Sequence, residues 1–210
     1  MNSKNRNQRL KALLKNLNRE RKKQAKQIDI LCNNIISSQR DFIERLKTID
    51  FRANFYESML GITDLNSLLS TAAAIIKEET ANANITFFLR QGELFETYGF
   101  AECLTDTPDK THIEDCFSSE LTANICMSNK ICNIDDMFAM GLQGNLTSIN
   151  SISAVTIPLG SAGSVQGFML VYRSRDRKLT SVEIGKISAI KCGLLQAICA
   201  CKALMHSSEN

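Results

Sequence analysis

The sequence has few of the residues that mark metal proteins and common enzymes. It contains only two histidines, and its eight cysteines include no Cys-x-x-Cys pair. Zinc and iron–sulfur sites rely on such closely spaced ligands, so no metal site is expected. No Ser/His/Asp set, phosphate-cradling glycine loop or paired-carboxylate motif stands out either. We therefore expect no catalytic residues, and the sequence identifies no cofactor.

Long hydrophobic runs are also missing. The chain has no window of about 18 uninterrupted apolar residues, so no membrane-spanning helix is expected. Its N-terminus is basic and lacks the apolar stretch of a secretory signal. These absences predict a cytoplasmic protein whose cysteines remain free thiols. With 44% hydrophobic residues, the chain can still form a substantial core.

Charge is unevenly distributed along the chain. Residues 1–26 contain ten Lys/Arg and one acidic residue, a net charge of +9, whereas the remaining fifteen basic and twenty-one acidic residues give −6. A basic arm of this kind can contact RNA, DNA, anionic lipid or an acidic protein surface, or simply be a solvated helix end. It contains no aromatic residue to stack on bases, so nucleic acid is possible but not favoured.

Glycine and proline are absent from residues 4–50, which predicts one long helix. With Leu14 at heptad position a, eight of twelve a and d positions are apolar. This pattern favours a parallel two-stranded coiled coil over residues 1–50, although a helix folded back on its own domain is the rival interpretation. The homodimer contacts expected on this helix are Leu14, Leu17, Ile28, Leu31, Ile35, Phe42 and Ile49.

After residue 50 the pattern changes to shorter helices and strands. We expect a connecting helix at 51–62, a helix at 65–81, strands at 85–89 and 94–98, a helix at 113–129, a short strand at 131–134, a hairpin at 151–173 and a last helix at 180–206. A capping box, Thr180-Ser181-Val182-Glu183, begins the last helix. We expect this helix to join the dimer in a four-helix arrangement through Ile187, Leu194 and Ile198.

The hairpin carries a recognisable pattern of residues. It comprises SISAVTIPL at Ser151–Leu159, with Pro158 ending the first strand, then VQGFML at residues 165–170, then Leu179-Thr180 and Glu183. This pattern resembles the GAF domain, a small sensory domain. The resemblance covers about residues 63–205 and predicts a GAF-like domain at 63–206. It implies an α+β fold with an antiparallel sheet of five or six strands flanked by helices. The related PAS fold is the main alternative.

The resemblance also implies a ligand pocket beneath the segment from about 100 to 148. The candidate ligand-binding residues there are Cys103, His112, Cys116, Cys126, Cys132, Asn133, Asp135 and Asp136. The implied function is a non-enzymatic sensory or regulatory homodimer, which binds an unidentified small molecule and signals through its helices to a protein partner. Two alternatives stay open: a ligand-free interaction or assembly factor that uses the basic helix, and a thiol-dependent reductase of the free methionine sulfoxide type.

Overall fold

The structure is a computed structural model, and it describes residues 3–81, 83–92, 94–100, 113–144, 149, 151–161 and 164–208. The chain divides into two units, Met1–Ile49 and Asp50–Asn210. The first unit consists of helix α1, which runs over Ser3–Met59 and so extends into the second unit. The connecting helix expected at 51–62 continues the long helix without a break and is the last part of α1, which ends at Met59.

The second unit is an α+β domain around a five-stranded antiparallel sheet with the order β2-β1-β5-β4-β3. Its strands are β1 Asn84–Gln91, β2 Leu94–Phe100, β3 Cys132–Asn133, β4 Ile152–Ser161 and β5 Ser164–Ser174. Its further helices are α2 Leu65–Glu79, α3 Ser119–Ser128, α4 Ile134–Ala139 and α5 Ser181–Ser208, with 3-10 turns at Ile113–Cys116 and Arg175–Arg177. The predicted fold class is confirmed, with five strands among the described residues.

Side-chain caps explain where the helices begin. Asp64 accepts a hydrogen bond of 2.7 Å from the Ser67 N–H at the start of α2. At α5, the Glu183 N–H donates to the Thr180 hydroxyl at 3.2 Å, so the predicted capping box is present. Ser118 caps α3 in the same way. Because of this cap, the helix expected at 113–129 divides into a 3-10 turn and a shorter helix.

The hairpin differs from expectation at one proline. Pro158 does not end its strand, because β4 continues to Ser161 and pairs Pro158 with Phe168. The short β3 pairs only with Val155 and Thr156, so β4 lacks a neighbour on that side at Pro158 in the described sheet. A proline is compatible with such an unpaired strand edge. A register shift follows between Leu159 and Gly160.

A glycine is required where β5 crosses β1. Gly167 has a φ of 151°, and a Cβ added there would lie 2.0 Å from the backbone oxygen of Phe88. No other residue type fits this contact without moving a strand. The glycine of the hairpin pattern therefore reflects close approach of two backbones.

One face of the sheet, which we call the helix-packed face, is covered by residues 51–59 of α1 together with α2 and α5. Its core is largely apolar, with Phe55 and Leu68 fully buried. By length and composition α5 could span a membrane. However, Ile187, Ile190 and Leu194 are fully buried in this core, which accounts for the apolar character of the helix.

Candidate functional site

The opposite face of the sheet, which we call the mixed face, combines apolar and polar side chains. β1 and β5 contribute its floor, where Thr86 pairs with Leu170 and Phe88 pairs with Phe168. Tyr172 lies two residues beyond Leu170 and therefore on the same face. The 3-10 turn Ile113–Cys116, α3 and α4 cover this floor.

A polar cluster, Thr86, Glu114 and Tyr172, occupies one end of the mixed face. The Thr86 hydroxyl donates to Oε1 of Glu114 at 2.6 Å, and the Tyr172 hydroxyl donates to the same oxygen at 2.8 Å. The other carboxylate oxygen, Oε2, is shielded from solvent and has no hydrogen-bond partner in the described structure. Burial and the nearby Glu114 charge raise the pKa of Tyr172, so its phenol stays protonated and acts as a donor.

Three phenylalanines occupy the neighbouring end of the mixed face. The rings of Phe88 and Phe168 stack with their centroids 4.7 Å apart, and Phe117 stacks on Phe88 at 5.0 Å. Phe88 and Phe168 are buried, whereas Phe117 is half-buried. The 3-10 turn and the residue after it thus place a carboxylate over the polar end and a ring over the aromatic end.

Known domains share this arrangement of sheet and helices. The GAF domain of the cyanobacteriochrome TePixJ superimposes with a TM-score of 0.53 at 14% identity, covering 69% of this chain and 94% of that one. The GAF domain of an Acinetobacter phosphoenolpyruvate-protein phosphotransferase gives 0.53 at 10% identity, covering 76% and 98%. The chain has the GAF fold. Part of a methyl-accepting chemotaxis protein also matches, with a TM-score of 0.52 at 14% identity and coverage of 71% and 98%.

The likeness is one of fold rather than of close sequence. No protein-family model matches the sequence, and no curated protein matches it. The comparisons therefore show the fold alone, and the functional residues of this domain must be found from its own geometry.

Three of the predicted ligand-binding residues lie at the start of α4. The Asn133 N–H donates to Asp136 at 2.9 Å, and the Asp136 N–H donates to the Asn133 side chain at 3.0 Å. This reciprocal pair is a capping box, and Asp135 is an exposed residue in the same first turn. Asn133, Asp135 and Asp136 are thus accounted for by helix capping and are not part of the polar cluster.

Half of the described cysteines in the second unit are packed as apolar side chains: Cys126, Cys132 and Cys201 are buried, Cys116 is half-buried, and Cys192 and Cys199 are exposed. Cys126 and Cys132 are 8% and 1% exposed in the core of the mixed face. Burial raises the pKa of Cys126 to about 11, and burial together with Asp115 raises that of Cys116. These two thiols therefore stay protonated at neutral pH and are poor nucleophiles.

Metal binding finds no support in the described residues, where no group of three or more His, Cys, Asp or Glu side chains could hold an ion. Two further residues predicted for the site, Cys103 and His112, lie outside the described residues.

The residues predicted for dimerisation fall into two groups. Those on α1 are 55–61% exposed: Leu14, Leu17, Ile28, Leu31, Ile35, Phe42 and Ile49. Those on α5, Ile187, Leu194 and Ile198, are fully buried in the core of their own α+β domain. The expectation for α5 is corrected accordingly, because its apolar periodicity reflects packing on the sheet. Leu13, Ile36, Ile43 and Leu46 add exposed apolar surface on α1 that the heptad register does not include.

Arg173 forms a junction on the helix-packed side of β5, directly after Tyr172. Its guanidinium makes two hydrogen bonds of 2.9 Å to Glu183 in the capping box of α5. It also donates to the carbonyl oxygens of Thr80 and Lys178, both at 2.7 Å. The sequence contains one signal for this pairing, an arginine ten residues before the capping-box glutamate. The capping box predicts the start of α5 but does not predict that Glu183 also binds Arg173.

Proposed function

We propose that this protein is a non-enzymatic sensory or regulatory module of the GAF fold that acts as a cytoplasmic homodimer. A small molecule bound on the mixed face would bias the packing of the helices, and α1 and α5 would pass this bias to a protein partner. The observation that carries the proposal is α1 itself. This helix presents a long exposed apolar stripe in residues 10–49 and contributes Phe51, Phe55 and Met59 to the domain core.

The exposed stripe supports the homodimer. Large apolar side chains at helical spacing are between 47% and 67% exposed from Leu10 to Ile49. Burying the exposed half of a leucine or isoleucine contributes roughly 1 kcal/mol, so the stripe as a whole can support a dimer. The β-branched Ile28 and Ile35 at a positions, with Leu31 at d, favour two parallel strands.

Sedimentation velocity on the full chain tests the dimer. The double variant Leu31→Glu/Ile35→Glu should sediment as a monomer, because it places charges in the middle of the stripe. Asn33→Glu is the matched control, since Asn33 is exposed at the opposite f position. A wild-type monomer, or a dimer that persists in the double variant, would contradict the proposal.

Salt dependence tests the parallel orientation separately. Parallel pairing brings two segments of net charge +9 side by side, and salt screens such repulsion. The dimer should therefore become tighter as the salt concentration rises from low to physiological values. Antiparallel pairing would place the basic segment of one copy beside the less basic half of the other, and salt would then weaken the dimer.

Contacts around β5 support transmission from the mixed face to α5. Tyr172 contacts Glu114 on one face of the sheet, and its neighbour Arg173 holds Glu183 of α5 on the other. A ligand that displaced Glu114 would thus act one residue away from the anchor of α5. Such signalling requires that the ligand bind two helix arrangements with different affinity.

A second candidate function is that of an interaction or assembly factor that needs no ligand. The described side chains of residues 6–26 are exposed, and a pair between Lys23 and Glu20 at 3.0 Å neutralises only one of their positive charges. A chain lacking residues 1–26 should then lose a specific protein partner while its GAF domain stays folded. Unchanged capture of that partner would exclude this function.

The thiol-reductase alternative is not favoured. A reductase of this type needs reactive thiolates, whereas the pKa values of Cys116 and Cys126 are raised. Replacing Cys103, Cys116, Cys126 and Cys132 with serine should leave any methionine sulfoxide reduction by the preparation unchanged. A loss of that activity in the variant would revive the alternative.

A further inference from the structure

The Glu114 carboxylate has an unusual hydrogen-bond pattern. Both donors of the polar cluster, Thr86 and Tyr172, use Oε1, whereas Oε2 is shielded from solvent and lacks a partner within the described structure. A buried carboxylate oxygen without a donor is unfavourable, and native proteins rarely keep one without a functional reason or a bound group. The unpartnered oxygen therefore indicates a missing donor.

The surroundings of Glu114 favour a positively charged donor. Thr86 and Tyr172 are neutral, and Glu114 forms no ion pair with any described residue, so the negative charge of its carboxylate has no charged partner in that part of the chain. Asp115 adds a second, exposed carboxylate beside it. Both acidic residues act on Tyr172, whose pKa is raised first by burial and then by these charges. The local field thus favours a cation over a neutral group or an anion.

Apolar surface lies next to this charge. Phe117, three residues after Glu114, is the half-buried member of the aromatic cluster and stacks on Phe88 at 5.0 Å. A ligand that fits both features has an ammonium group attached to a small apolar or aromatic body. Small-molecule pockets in proteins commonly combine such an apolar wall with one orienting polar group.

We propose that the mixed face binds a small amine, with the ammonium group donating to Oε2 of Glu114 and the apolar body lying against Phe117. This assignment rests on the proposed sensory function and names the ligand class for it. Because Oε2 is enclosed, the 3-10 turn Ile113–Cys116 must move when the amine binds. The turn carries Glu114, which contacts Tyr172 beside the Arg173 junction, so the movement would reach the helix-packed face.

Three aromatic probes of similar size test the ligand class on the full chain: 2-phenylethylamine, 2-phenylethanol and phenylacetate. Isothermal titration calorimetry, supported by saturation-transfer NMR, should detect the amine and show it binding roughly tenfold or more tightly than the alcohol and the acid. Equal binding of the three probes, or no binding of the amine, would overturn the proposal.

Two variants separate a specific anchor from general electrostatic attraction. Glu114→Gln and Asp115→Asn each remove one negative charge within the same turn, but only Glu114 contacts Thr86 and Tyr172. The preference for the amine should disappear in Glu114→Gln and persist in Asp115→Asn. An equal loss in both variants would show attraction by charge alone and would contradict the anchoring role.

The stability of the free protein supplies a further readout. Since Glu114→Gln removes a half-buried charge that has no charged partner among the described residues, its melting temperature should be unchanged or higher than that of the wild type. If a buried water alone satisfies Oε2, Glu114→Gln should lower the melting temperature and leave probe binding unchanged, which would overturn the proposal.

Failure of the amine assignment can be distinguished from failure of the sensory function. Native mass spectrometry of the purified protein could reveal another ligand, whose binding Glu114→Gln leaves intact. In that case the amine assignment would be wrong and the sensory proposal would stand. A monomeric wild type in the sedimentation experiment would instead remove the proposed signalling dimer and leave the probe measurements interpretable.

Discussion

The two faces of the sheet bury different kinds of side chain. The helix-packed face buries mainly apolar side chains, among them Phe55 and Leu68 at 0% exposure, and its largely buried Arg173 is paired with Glu183. The mixed face buries Thr86 and Tyr172 around a carboxylate that keeps one oxygen without a donor. An apolar core needs no specific partner, whereas a buried polar group stabilises only when it is fully paired. The comparison predicts that the polar cluster of the mixed face contributes less to stability than the apolar packing of the helix-packed face.

Replacing one phenylalanine on each face with alanine is the most direct test of this comparison. Phe55→Ala on the helix-packed face should cost about 3–5 kcal/mol, because it opens a cavity in a fully buried core. Phe117→Ala on the mixed face should cost less than half as much, since that ring is half-buried. Denaturant unfolding at one fixed protein concentration measures both. Equal losses would show that the mixed face is as important for stability as the helix-packed one.

The same contrast explains what could be predicted from the sequence. The helix-packed face follows from local periodicity, since Leu68, Leu69 and Ile76 repeat at helical spacing and Asp64 caps their helix. Periodicity also predicts the apolar side of α5, but it does not predict which surface covers that side. An apolar stripe that fits a second copy of the chain also fits the sheet of its own domain. Periodicity identifies an apolar face but not what covers it.

The polar cluster could not be predicted in this way. Glu114 meets Thr86 and Tyr172 across 28 and 58 residues of sequence, and each of the three is unremarkable in its own segment. The segment around 100–148 was expected to hold the site because of its His, Cys and Asp residues. Its Asn133 and Asp136 instead cap a helix, a local role that is easily confused with ligand binding.

Gly167 tests how tightly β5 is held against β1, two inner strands that contribute side chains to both faces of the sheet. Gly167→Ala should cost on the order of 3 kcal/mol, since the new methyl group would overlap the Phe88 carbonyl in a backbone conformation that favours glycine. Gly99→Ala is the matched control, because nothing lies within 4 Å of the added Cβ. Thermal unfolding measures both variants. A mild effect at Gly167 would mean that β1 and β5 can separate easily.

The Arg173 junction tests whether the faces are linked through charge. Arg173→Met should cost about 2 kcal/mol, since Glu183 loses the two hydrogen bonds from the guanidinium and keeps only those from Thr180. Burial alone would raise the pKa of Glu183, but the bonds from Thr180 and Arg173 outweigh it and hold the pKa below its usual range. This contribution is present above the unfolded pKa of about 4.3 and is lost as pH falls through the folded value.

Unfolding measured as a function of pH therefore distinguishes the variants of this junction. The wild type should lose stability below about pH 5, and Arg173→Met should lose less over the same range. Glu183→Gln completes a double-mutant cycle with Arg173→Met. Additive effects of the two substitutions would show that the pair is not coupled, and the proposed path from Tyr172 to α5 would lose its support.

The smallest expected change in stability concerns two glycines on different sides of α5. Gly185 is exposed, and nothing lies within 4 Å of an added Cβ, so Gly185→Ala should stabilise the helix by about 1 kcal/mol. Gly193 is the contrasting position, since its added Cβ would lie 2.2 Å from the Tyr56 ring, and Gly193→Ala should destabilise the domain. Because the expected gain at Gly185 assumes an open surface, a loss of stability there would show that a second copy covers this side of α5. That result would move part of the proposed dimer interface from α1 to the outer side of α5.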